Sequence, residues 1–303
     1  MEQSRFLRPM GFGEILDASV RLYRSNFLIL VIAQLPMALI YIITNLTSVY
    51  AGGTQTIPLV PTETTSLSGL TNLMMYLTMF LVLLIIQTAV VFPVTLAAET
   101  KIASESVLKH SPSLKEAYRF SLNNILKLGL TNIIMTVFLV IVMVIALIPF
   151  AVVFSIVAFT MFSSPLAGFT EMIVIGFVIA VPFLLIPAFF WTRWIAAFPI
   201  MVNEKQFFFD AINRSWNLVK GRTMVTFLVL LVVYLIPYIL QGVTFLTLDS
   251  LYTARFSLTF GAGILTQAFL IPLVNCSRVA IYFELRSRKE GFDLERRVEQ
   301  LSP

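Results

Sequence analysis

Six stretches of this chain run on apolar side chains for about twenty residues or more, and that length decides the class of fold open to it. A helix needs about twenty such residues to cross a hydrocarbon core, because each one advances it by only about 1.5 Å. The stretches lie at about Phe27–Tyr50, Leu70–Ala98, Leu128–Thr160, Ile173–Ala197, Met224–Leu246 and Leu258–Tyr282. Inside lipid the backbone polar groups must be satisfied within the segment, so each stretch is expected to be helical. Composition points the same way. Of 303 residues 58% are hydrophobic and 12% charged, against roughly a quarter charged in soluble domains. The expected fold is all-α and integral to a membrane, a single membrane domain over 1–303. The opening Met1–Arg24 is charged and broken by Pro9, Gly11 and Gly13, which reads as an uncleaved lead rather than a signal peptide.

Three polar stretches punctuate the apolar ones. Phe209–Arg222, FDAINRSWNLVKGR, is echoed by Leu16–Phe27 and by Leu114–Lys127. Each has an acid followed by alanine: Asp17-Ala18, Glu116-Ala117 and Asp210-Ala211. Phe12–Arg24, Ser113–Lys127 and Phe209–Arg222 are expected to be amphipathic helices lying in the membrane interface, acidic at the start and basic at the end as the helix dipole favours. Asp17 and Arg21 stand at i,i+4 spacing for a pair, and Ser113 with Glu116 has capping-box spacing. The even-numbered spans repeat too. Pro93, Pro187 and Pro272 are each followed six residues later by a charge: Glu99, Arg193 and Arg278. The alanines recur at intervals of about 95 residues, which predicts internal repeats over about 12–110, 111–205 and 206–290, with a tail over 291–303. Each unit would be an interfacial helix, an outward span, a loop and an inward span: three parallel hairpins. Glu99–Pro112 reads as a charged connection between units.

The net charge of +5 has a topological explanation. Of 21 lysines and arginines, only Arg255 falls in an expected outer loop, and positive residues are retained on the cytoplasmic side. Both termini and all three short helices are therefore expected inside. Trp191, Trp194 and Trp216 suit an inner interfacial belt.

The opening Arg8-Pro9-Met10-x-Phe12-Gly13-Glu14-Ile15-Leu16-Asp17, continuing to Arg21-Leu22-Tyr23-Arg24-x-Asn26-Phe27, resembles a bacterial family named for the membrane domain of glycerophosphoryl diester phosphodiesterase. Ala211-Ile212-Asn213-Arg214-Ser215-Trp216-Asn217-Leu218-Val219-Lys220-Gly221 and the end Tyr282-Phe283-Glu284-Leu285-Arg286 resemble it as well. The resemblance implies a bacterial inner-membrane protein. The soluble catalytic barrel fused to some members needs paired histidines and acidic metal ligands. This chain has one histidine, His110, and no soluble stretch of barrel length.

No reaction is legible. The lone Cys276 forms no internal disulfide, and no Walker loop, zincin helix, nucleophile elbow or dinucleotide fingerprint is present. No catalytic residue, cofactor, metal or nucleic-acid partner is expected. The candidate lipid or partner contacts are Glu99, Arg193, Arg278, Arg214, Trp216, Lys220 and Arg222. Charges inside a membrane are costly and mark either structural pairing, snorkelling to headgroups or a ligand site. Glu99, Arg193 and Arg278 share an offset from proline, so they are expected to converge near the inner mouth of the bundle. Gln34, Gln87, Asn132, Gln267 and Asn275 are read as interhelical hydrogen-bonding residues. The function expected is a non-catalytic, lipid-contacting scaffold or accessory subunit, with membrane lipids and a membrane protein as partners. A transporter for an unknown substrate is the alternative, and an enzyme acting on lipid a third.

Overall fold

The computed structural model describes residues 9–52, 67–108, 110–162, 169–246 and 261–291. Most of the expected outer loops, with Arg255, and the tail beyond 291 lie outside the described residues, while 51–52, 67–69 and 169–170, expected in loops, are helical. The helices are α1 (Phe12–Ser25), α2 (Phe27–Gly52), α3 (Leu67–Ile86), α4 (Phe92–Val107), α5 (Leu114–Asn123), α6 (Ile125–Phe162), α7 (Phe169–Arg193), α8 (Ala197–Asn203), α9 (Phe208–Val219), α10 (Thr223–Leu246) and α11 (Ile271–Glu290). A π-helical turn, Gln87–Val91, joins α3 to α4, and another, Thr266–Leu270, leads into α11. No strand occurs among the described residues. Among the described residues six helical runs are long and apolar enough to cross a membrane: Phe27–Thr47, Met74–Val107, Ile125–Phe159, Val178–Asn203, Thr223–Leu240 and Gly261–Glu290.

One boundary overturns a sequence expectation. The charge of Glu99–Pro112 predicts a connection, yet α4 continues as helix to Val107. Its small residues explain why. Ala97, Ala98, Thr100, Ala103 and Ser104 are buried, and small side chains let neighbouring backbones approach closely. Lys101 pairs with Glu105 one turn on, at 3.2 Å.

The core sits at one end of the bundle. It gathers the later turns of α4, α8 and α11 with the inward faces of α1, α5 and α9. Elsewhere the spans present Leu, Ile, Val and Phe outward, such as Leu126, Ile145, Ile156 and Phe159. Between lipid and a helix there is no hydrophobic force to bury such side chains, so this is the surface expected to face lipid. α11 is the centre. Buried residues are 61% of the sixth span's apolar window against 6% of the third's, as befits a helix enclosed on all sides.

The short helices pack on their neighbours in a regular order: α1 on α11, α5 on α4 and α9 on α8. Ala18, Ala117 and Ala211 stand on the packed faces with 0% exposure, where a longer side chain would hold the helices apart. Interfacial burial in lipid is the sequence expectation for these faces; here Ile15, Leu22 and Leu218 are spent on protein packing instead. The acid-led starts are used locally. The Glu14 carboxylate accepts from the Gly11 amide at 2.8 Å, Ser113 caps α5 towards the Glu116 amide at 3.5 Å, and Asp17 meets Arg21 at 3.0 Å.

The prolines shape the two π turns. A helical proline lacks an N–H, so a carbonyl behind it loses its partner. The Phe92 amide bonds the Gln87 carbonyl and the Ile271 amide bonds the Thr266 carbonyl. The next carbonyl in each turn, that of Thr88 or Gln267, is then opposed only by Pro93 or Pro272. Asn132 of α6 supplies the missing donor to the Thr88 carbonyl at 2.8 Å. Gly129, one turn earlier on α6, stands directly against the Ala89 carbonyl that Pro93 also frees.

Two tyrosines tie short helices to carbonyls three residues before a proline. Tyr23 donates to the Phe269 carbonyl at 2.7 Å, and Tyr118 to the Ala33 carbonyl at 2.6 Å. Burial pushes both phenols up to about 12, with Cys276 and Glu99 adding to the effect on Tyr23 and Glu99 to that on Tyr118. A folded-state value above the unfolded value of about 10 gives stability that is complete below pH of about 10 and is lost as pH rises towards about 12. Thermal unfolding in detergent should therefore show an alkaline loss in that window. Tyr23→Phe with Tyr118→Phe should flatten it; an unchanged alkaline limb in the double variant would count against this assignment.

Candidate functional site

α4, α7, α10 and α11 bring a group of polar side chains together inside the bundle. Glu99 is 0% exposed and accepts a short hydrogen bond from the Asn275 amide, while its Oε1 has no hydrogen-bond partner among the described residues. Arg278, one turn from Asn275 and 5% exposed, lies close enough to act electrostatically on Glu99. Its Nη2 donates to the Tyr234 hydroxyl, its guanidinium lies 5.4 Å from the centre of the Trp191 ring, and its Nε has no partner among the described residues. Asn275 and Arg278 line a cavity of about 210 Å³ with Gln34, Thr95, Tyr234 and Gln267 among apolar neighbours. The second π turn contributes Gln267 to that wall. Helical irregularities of this kind are frequent at functional sites.

Arg193 goes elsewhere. α7 ends at this residue, and its carbonyl accepts from the Ser215 hydroxyl at 2.8 Å. The guanidinium lies between Phe189 and Trp216, 5.2 and 4.9 Å from the ring centres, and donates to the Trp216 carbonyl at 3.3 Å. Glu99 and Arg278 thus meet around Asn275, whereas Arg193 clasps α9. The shared offset from proline does not bring all three together, because α7 breaks after Arg193 and α9 covers it. Nor do the tryptophans form a belt: Trp194 is buried among Phe138, Phe190 and Trp216.

The basic residues of α9 are mostly engaged. Arg214 bridges Glu204, at 3.0 Å, and Glu290; these acids hold its pKa above the ordinary arginine value against the opposing effect of burial. Arg222 reaches Glu284 and the Met10 carbonyl, each at 3.2 Å. Lys289 donates to the Asn217 and Lys220 carbonyls at 2.7 and 2.6 Å, satisfying the C-terminal end of α9. Lys220 keeps an exposed side chain.

Residues 166–283 match the family model described as the membrane domain of glycerophosphoryl diester phosphodiesterase. No curated protein and no solved structure gives a match. Six helices long and apolar enough to cross a membrane among the described residues, together with this match to a membrane-domain family, make the chain a multi-pass helical membrane protein. The matched region carries Trp191, Arg193, Trp216, Tyr234, Asn275 and Arg278; Glu99 precedes it. Sequence reasoning passed over Tyr234 and Glu284. The signal for Tyr234 is a hydroxyl within an apolar run, three residues before Pro237. Glu284 was hidden among the charges that end the chain.

Proposed function

We propose that this chain is a non-catalytic, lipid-contacting module of the bacterial plasma membrane, acting as a scaffold or accessory subunit. The observation that carries this reading is how its ionisable side chains are used. They join separate segments, Arg214 to Glu204 and Glu290 and Arg222 to Glu284, and are not set out as a nucleophile beside a base. The matched family is described as a membrane domain, which suits an accessory role.

The packing order supports three parallel hairpins around one axis. The short helix of each unit lies on the inward span of the unit before it, and α1 closes the ring on α11. On this reading α1, α5 and α9 are amphipathic corners at the cytoplasmic face, where the lysine and arginine distribution also places both termini. A transporter is the second reading. The polar cavity and the π turn beside it favour that reading.

Native mass spectrometry from mild detergent tests the proposal by showing retained lipids and co-purifying subunits together. Bound lipid, with a protein partner, is expected; a bare monomer without lipid would overturn the reading. Lys220→Gln is expected to lower retention of anionic lipid with no change in unfolding temperature. Arg214→Gln and Arg222→Gln should instead lower the unfolding temperature, because both side chains are engaged in ion pairs.

A further inference from the structure

We propose that Glu99 is an exchangeable proton site inside the membrane domain, reached from the polar cavity through Asn275. This goes beyond the scaffold reading, which gives that carboxyl no role. Carboxyls inside a membrane are costly to keep and recur as proton relays. Glu99 is 0% exposed, and among the described residues its one hydrogen bond comes from the Asn275 amide. The groups around it leave it unpaired. α11 brings Arg278 and Cys276, α1 brings Tyr23 and α5 brings Tyr118, each near enough to act on it electrostatically. Arg278 is engaged by Tyr234 and Trp191 and forms no ion pair with Glu99. The Tyr23 and Tyr118 hydroxyls donate to the Phe269 and Ala33 carbonyls instead. On α4 itself Lys101 is paired with Glu105, and Lys127 of α6 lies over the Phe207 ring. α8 and the first π turn have no titratable residue, and α2 has only Tyr41 and Tyr50.

Neither form of this carboxyl is fully satisfied by the protein. As a carboxylate it accepts one N–H and touches no counter-ion; as an acid its O–H needs an acceptor. The Asn275 side chain serves both forms. Its N–H bonds the carboxylate, and the amide turned over offers its C=O to the acid O–H. Asn275 also lines the cavity of about 210 Å³, so one side chain separates Glu99 from that space. With Gln34, Thr95, Tyr234 and Gln267 in its wall, the cavity is polar and has room for several water molecules. The step is a proton transfer alone: a hydronium ion in the cavity gives its proton to a Glu99 oxygen, and water is left. A metal ion fits less well. It needs several oxygen ligands, Arg278 opposes its charge, and no group of three acidic, histidine or cysteine side chains that could hold it occurs among the described residues. Proton uptake cancels the Glu99 charge and leaves Arg278 as an uncompensated cation on the cavity wall.

The test is infrared difference spectroscopy of the full chain, stepped in pH in a detergent that carries no carbonyl group. A carboxylic C=O band is expected above the frequency of hydrated carboxyls. It should come and go reversibly with pH, and it should move down in D2O as the acid proton exchanges. Glu99→Gln should remove it entirely. Asn275→Leu should keep a titrating band but shift its frequency, because the carboxyl loses its hydrogen-bond partner; this variant also covers the case of a poorly folding Glu99→Gln. Asp17→Asn, which changes an exposed acid paired with Arg21, should leave the band as it is. A titrating band that survives Glu99→Gln, or no such band over the whole range in which the protein stays folded, would overturn the proposal. So would a band that fails to move in D2O, or one that follows sodium at fixed pH, which would mark a cation site instead. An unchanged frequency in Asn275→Leu would break the assigned link to the cavity and sink the proposal as stated.

Discussion

Gly129→Ala is expected to destabilise the protein by about 2–3 kcal/mol, read as a fall in unfolding temperature in detergent. A Cβ at Gly129 would stand 2.4 Å from the Ala89 carbonyl oxygen, well inside any real contact. The obstacle is backbone, not the end of a flexible side chain, so α6 and the first π turn would have to separate. Separation has a second cost. The Asn132 amide, three residues along α6, would be drawn away from the Thr88 carbonyl to which it donates. A carbonyl left unsatisfied at membrane depth costs several kcal/mol at the upper limit, less where other helices rearrange to reach it. Gly242→Ala is the matched control. It lies in α10 with nothing within 4 Å of the added atom, and the better helix propensity of alanine should leave stability unchanged or slightly raised. Equal behaviour of the two variants would mean that the contact at Gly129 carries no weight.

This contact shows where sequence reading stops. Run length alone predicts six spans, because a bilayer sets the length of the helix that crosses it, and six helices among the described residues are long and apolar enough to cross one. The acid-alanine stretches mark three short helices within a residue or two at their starts, and Ala18, Ala117 and Ala211 lie at equivalent packed positions. What could not be read was direction. The apolar faces of α1, α5 and α9 have the same composition whether they meet lipid or protein, since leucine suits both. Proline positions were visible, but their consequence depends on which neighbour supplies a donor, and Asn132 lies 44 residues from Thr88. The candidate site divided for the same reason. Glu99 and Arg278 come near each other because Asn275, one turn from Arg278 on the same helix, bonds Glu99, while Arg193, at the same offset, is taken by Ser215 and Trp216.

Glu284→Gln should cost about 3 kcal/mol, near the low end for breaking a buried ion pair by removing one partner. One carboxylate oxygen accepts from Arg288 at 2.7 Å and from Arg222 at 3.2 Å, and the side chain is only 2% exposed. Both arginines also donate to the Met10 carbonyl, at 3.1 and 3.2 Å. The acid therefore sets two cations on one carbonyl at the entry to α1, and this joins the chain's first short helix to its last span. Glutamine keeps the shape but leaves two guanidiniums together without a counter-charge. The arginines are 28% and 36% exposed, so solvent relieves part of that repulsion and the upper end of the range is not expected. A double-mutant cycle with Arg222→Gln separates charge from packing. If repulsion dominates, adding Arg222→Gln to Glu284→Gln should restore part of the loss, with a coupling of about 1–2 kcal/mol. Strict additivity would show instead that the cluster acts only by filling space. A single variant within about 1 kcal/mol of the parent would show that this junction behaves as an ordinary surface pair, and that α1 is held to α11 by its buried apolar face alone.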